Sequence, residues 1–95
     1  MSQATLFGSR LELAFLEFDR ANPEVWRLFV RFTFQVIRSG RRHYGAKAVF
    51  ERIRWHVALE TTEVDFKLNN NFTAYYARKF HEEYPEHAGF FHTRG

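Results

Sequence analysis

Arg27, Arg31, Gln35 and Arg38 lie four, four and three residues apart, which aligns them along one side of a helix. Like charges at that spacing repel by about 0.2–0.5 kcal/mol per pair in an isolated helix, and only Glu24 stands near enough in sequence to relieve the first of them. Such a stripe is either covered by acidic residues from elsewhere or held ready for an anion. Arg41 and Arg42 carry it into the following loop, and Lys47 and Arg54 lie on the outer face of the next helical segment. Together these side chains can neutralise several phosphates, each contact adding salt-dependent, sequence-independent affinity for a nucleic acid. Asn69, Asn70 and Asn71 complete the candidate binding set, because an Asn amide can bond adenine in bidentate fashion. The plain alternative is a solvated basic face and a capping Asn.

Catalytic constellations are thinner. Asp65-Phe66-Lys67 supplies the D-x-K half of a metal-dependent nuclease pattern, in which a carboxylate holds Mg²⁺ and the Lys stabilises developing charge. No upstream Pro-Asp partner accompanies it, and alternating charges along a strand account for the same three residues. Ser2, Ser9 and Ser39 are the only serines, and none sits in a nucleophile-elbow context. A Gly-rich phosphate loop is missing. His81, His87 and His92, with Glu82 and Glu83, form a His-rich segment whose spacing matches no recognised zinc motif. The chain is therefore expected to be non-catalytic, without a cofactor or a metal.

A second class of function is a protein–protein module, acting as a homodimer or as an inhibitor of a larger complex. Phe90 and Phe91 follow Gly89 near the chain end, where complete burial is harder, and with Trp55 they can form an exposed apolar patch of the kind that marks interfaces. Against this, the tail can fold back over the helices and complete the core.

Composition bounds both ideas. Ninety-five residues make one domain, and a domain of that size buries a modest share of its surface. Twelve Phe, four Tyr and two Trp offset the handicap, since each ring removes roughly 150–250 Å² from water; the aromatic excess reads first as core. With no Cys, disulfides and thiolate zinc sites are excluded. The first eight residues lack the pattern of a secretory signal, and no apolar run nears the ~18 residues of a membrane span, so a soluble cytoplasmic protein without membrane contact is expected. Charge is one-sided. Residues 23–56 carry eight basic side chains against Glu24 and Glu51, while the rest of the chain holds six basic and nine acidic ones. That dipolar layout favours an anionic partner at one face, and DNA is expected ahead of RNA.

The elements that must position these residues follow from periodicity. Residues 1–8 read as a flexible arm, and 9–95 as a single helical domain. Ser9 and Glu12 form an S-x-x-E capping box for a helix from 10 to about 21, with Leu11, Ala14, Phe15 and Phe18 inward. Asn22-Pro23 reads as an N-cap and first position of a helix over 23–39, stopped by Gly40. Gly45 opens a third helix ending near 60, with Ala46, Val49, Phe50, Ile53 and Val57 inward and Trp55 at the edge of the apolar arc. Residues 64–68 alternate like a half-buried strand. The Asn run then caps a helix over 72–84, whose buried ladder is Phe72, Tyr76 and Phe80 and which Pro85 ends. Residues 90–93 can add a second short strand. The expected fold is mainly α: a compact bundle of about four helices, extended by a small two-stranded β-ribbon in a winged-helix-like arrangement. About ten residues separate helices three and four, whereas a helix-turn-helix uses three or four.

Arg52-Ile53-Arg54-Trp55, then Phe66-Lys67-Leu68-Asn69-Asn70-Asn71, then Tyr75-Tyr76-Ala77-Arg78 and Pro85 give the C-terminal half a further character. It resembles a group of short, uncharacterised proteins encoded by bacteriophages and prophages. The resemblance implies a bacterial or phage intracellular setting and transfers no catalytic residue. It raises both small DNA-associated proteins and inhibitors of host defence complexes.

Overall fold

The computed structural model describes residues 3–60 and 67–92, with side chains from Arg10 onward in the first helix and up to Leu59 in the third. Its helices are α1 (Gln3–Ala21), α2 (Pro23–Arg38), α3 (Ala46–Glu60) and α4 (Thr73–Glu83), with 3₁₀ turns at Asn70–Phe72 and Pro85–His87. The mainly α, four-helix expectation is thus met. The molecule spans 43 × 34 × 17 Å. A slab 17 Å thick is only about one and a half helix diameters, so each helix keeps a face in solvent.

α2 is the hub and packs against α1, α3 and α4. Val25, Phe29, Phe32, Thr33 and Val36 face inward from it, and the one polar group among them is satisfied because the Thr33 hydroxyl donates to the Phe29 carbonyl at 2.6 Å. Rings fill the interior as the composition predicts. Phe29 lies 5.4 Å from Tyr76, 6.0 Å from Phe50 and 5.4 Å from Phe91, and Tyr76 reaches α1 through Phe15 at 5.0 Å. The Tyr76 hydroxyl is buried without a partner among the described residues; burial first, and then the Asp19 charge, push its ionisation well above the ordinary range. Lys79 binds Asp19 and lies 4.4 Å over the Trp26 ring, which ties α4 to both α1 and α2.

Several local expectations change. α1 begins at Gln3, so Ser9 lies inside a helix and opens none. Ala4, Leu6 and Phe7 are all tolerated or favoured in helices and carry the backbone through Gly8, so residues 3–8 are helix where a flexible arm is expected. Asn22 caps α2 with no side-chain hydrogen bond. Its amide donates instead to the Phe18 carbonyl at 3.0 Å, closing α1, while its own carbonyl accepts the Val25 N–H at 3.1 Å. Gly40 ends α2 at φ +96°, a left-handed conformation that favours Gly. The Asn69 side chain does cap the next element by accepting the Asn71 N–H at 2.9 Å, but a 3₁₀ turn precedes α4.

No strand occurs among the described residues. Of the expected ribbon, residues 64–66 lie outside the described residues, and Lys67 and Leu68 are irregular. Phe90 and Phe91 form no second strand; after Gly89 turns the chain at φ +90°, their side chains drop into the core at 6% and 2% exposure. The physical reason is packing: Phe91 meets Phe29 and Phe80 at 5.4 and 5.8 Å, a gain no isolated ribbon offers. The tail folding back over the helices, read above as the alternative, is what occurs.

That hook is fastened by a titratable group. His81 Nε2 accepts the Phe91 N–H at 3.1 Å, so this nitrogen must be unprotonated, and burial lowers the imidazole below its ordinary value of 6.5. Between that depressed value and 6.5 the unfolded chain binds the proton more readily, so stability rises with pH there. The contribution is complete above about pH 6.5 and is lost as pH falls through the folded value. Urea midpoints are expected to drop from pH 7 to pH 5, and the drop should shrink in His81→Gln. An unchanged profile in that variant would place the proton elsewhere.

Candidate nucleic-acid interface

The α2 stripe forms as its spacing predicts. Arg27, Arg31, Gln35 and Arg38 are all exposed, as are Arg41, Arg42 and Lys47 beyond them. The groups that could neutralise this face are few. Arg27 meets Glu24 at 3.4 Å with both side chains largely in solvent, and a pair of that kind contributes little. Arg31, Arg38, Arg41 and Arg42 make no ion pair with any described residue. Three of these guanidinium groups lean on rings instead: Arg31 on Phe32, Arg38 on Phe34 and Arg41 on Tyr44, each at 5.9 Å.

α3 adds a cation that sequence spacing assigns elsewhere. Arg52 falls in series with His56 along α3, yet its guanidinium crosses to α2. It lies 4.6 Å from the centroid of Phe32 and donates to Gln35 Oε1 at 3.0 Å. Arg31 and Arg52 therefore converge on one ring, and Gln35, the neutral member of the stripe, becomes the bridge between helices. Nothing in local periodicity reveals a contact seventeen residues apart. The available clue was a Gln set within a row of Arg.

Arg54 belongs to a different structure. It pairs with Glu51, donates to the Leu68 carbonyl and reaches Asn70 Oδ1 at 2.7 Å. The guanidinium thus pins the segment ahead of α4, where it was expected among the phosphate contacts. Asn69 and Asn70 are engaged in the same local work: Asn69 caps, and the Asn70 carbonyl accepts the Thr73 hydroxyl at 3.0 Å. Asn71 alone of the three makes no side-chain hydrogen bond with a described residue, and it is exposed. Lys47 makes no ion pair with a described residue; the carboxylate of Glu51, one turn on, is already occupied by Arg54.

The patch of Trp55, Phe90 and Phe91 does not assemble, because both Phe residues are core. Trp55 is 67% exposed and Leu59, one turn further, 76% exposed. Asp65 and Phe66 of the D-x-K pattern lie outside the described residues. The histidines are spread through ring packing, with His87 5.4 Å from Phe34 and His92 stacked on His43 at 4.7 Å. No cluster of three metal-ligating side chains forms among the described residues. No described helix is long and apolar enough to cross a membrane. No protein-family model, curated protein or solved structure matches the chain.

Proposed function

We propose that this domain is a non-catalytic nucleic-acid-binding protein that grips phosphates with Arg31, Arg38, Arg41, Arg42 and Arg52, assisted by Arg27. The observation that carries it is the convergence of Arg31 and Arg52 on the Phe32 ring, 5.9 and 4.6 Å from its centroid, with no described carboxylate paired to either. Two cations held together cost electrostatic energy that an incoming phosphate relieves. Their planar donors suit phosphate oxygens better than an ammonium would. A DNA ligand and a phage or bacterial setting are part of the same proposal.

Fluorescence anisotropy with labelled DNA and RNA, single- and double-stranded, tests it across a salt series. Log K should fall linearly with log salt, with a slope of about −4 to −5 for six phosphates at ~0.7–0.9 per phosphate. Absence of binding at low salt would overturn the proposal. Pull-down would then pursue a protein–protein module, for which Leu13 and Leu16, exposed on the outer face of α1, are the starting surface.

A further inference from the structure

Trp55 sits in the middle of the solvent face of α3, 67% exposed. The chain's other indole shows how unusual that is: Trp26 is part-buried, stacked 6.0 Å from Phe29 and covered by Lys79 at 4.4 Å. Trp55 has no ring contact of that kind among the described residues. An exposed indole gains nothing from the core and leaves a large apolar face in water.

Its surroundings select what would cover it. Arg52, three residues earlier, lies on the adjoining turn and leads directly to Arg31 and the α2 stripe through Phe32 and Gln35. The acidic neighbour Glu51 is already paired with Arg54. Among exposed large apolar side chains, Leu59 alone accompanies Trp55 on α3. A protein hot spot needs a wider desolvated ring of apolar contacts around such an anchor. A single indole on a cationic face has instead the make-up of a stacking platform, with the π-face for a base and guanidinium groups for the backbone.

Resting on the nucleic-acid function proposed above, we infer that Trp55 stacks an unpaired base beside the Arg31–Arg52 phosphate site, so that the ligand is single-stranded. A duplex keeps the faces of its bases occupied by their neighbours and offers none to an exposed ring. Strand selectivity then comes from Trp55, while the arginines supply affinity common to all nucleic acids.

The probe is oligothymidylate against a duplex of equal length, read by tryptophan emission and anisotropy at several salt concentrations. The single strand should quench the emission of the wild-type protein, and Trp55→Phe should abolish that quench, leaving only the signal of Trp26. Trp55→Ala should weaken single-strand binding on the order of 5–150-fold, the range for loss of one stacked base, with the salt slope unchanged because no phosphate contact is lost. Its melting curve should match wild type, since the side chain is outside the core. Equal binding by wild type and Trp55→Ala, or a preference for duplex, would overturn the stacking role and leave phosphate binding intact. No binding of either nucleic acid by wild type would overturn both. A shift of Trp55 emission with protein concentration alone would identify a second copy of the chain as the occupant and also overturn it.

Discussion

Tyr76→Ala is expected to destabilise the domain by about 3–5 kcal/mol, the range for emptying a large aromatic site in a packed core. Tyr76 is fully buried, and its ring touches Phe15 of α1, Phe29 of α2 and Phe50 of α3 at 5.0–5.4 Å. One truncation therefore loosens every helix-to-helix contact that α4 makes. A 95-residue domain has a total stability of roughly 5–14 kcal/mol at about 0.05–0.15 kcal/mol per residue, so about a fifth of it or more would go. Tyr76→Phe separates ring from hydroxyl. The hydroxyl is buried and unpartnered among the described residues, and such a group carries a desolvation cost of about 1–3 kcal/mol. The Phe variant should equal or exceed wild type in urea unfolding. A loss below about 1 kcal/mol for the Ala variant would contradict this core, since fully buried aromatic sites do not empty so cheaply. A clear loss for Phe would mean the hydroxyl makes a hydrogen bond.

The core was legible because its signals are periodic and local. Val49, Phe50 and Ile53, and likewise Phe72, Tyr76 and Phe80, fall at three- and four-residue steps, and all are buried. The ends of the elements were less so. A capping box at Ser9 and Glu12 competes with helix-forming residues upstream, and only the backbone of α1 decides between them. A short apolar pair such as Phe90-Phe91 fits a strand edge, a patch or a core equally well. Its fate depends on Gly89 turning at φ +90° and on His81, ten residues away, accepting a backbone N–H. The binding face divides in the same manner. Exposure of Arg27, Arg31 and Arg38 follows from helix geometry, whereas the separate tasks of Arg52 and Arg54 depend on what lies opposite α3 in space. Only two positions apart in sequence, they point about 200° apart around the helix, at roughly 100° per residue, and meet different neighbours.

Replacing Arg27, Arg31 and Arg38 together with Gln should leave the fold intact and remove much of the binding. All three side chains are exposed, where substitutions usually change stability by less than about 0.5 kcal/mol each, and the change also relieves their i,i+4 repulsion. Three lost phosphate contacts should flatten the salt slope by about 2–3. If binding at 1 M salt is unaltered, the same change weakens affinity roughly 50–300-fold at 0.15 M. Arg54→Gln is the matched control, because it removes a cation from the neighbouring helix without touching the proposed phosphate face. Its bonds to the Leu68 carbonyl and Asn70 should cost about 1–3 kcal/mol of stability when lost, with the salt slope retained. The two variants thus move opposite observables. Unfolding of the triple variant would make the stripe structural, and a flattened slope in Arg54→Gln without lost stability would return that residue to the phosphate set. The expected pattern of one slope lost and one midpoint lowered is available only if the α2 stripe serves binding while the Arg54 side of α3 serves folding.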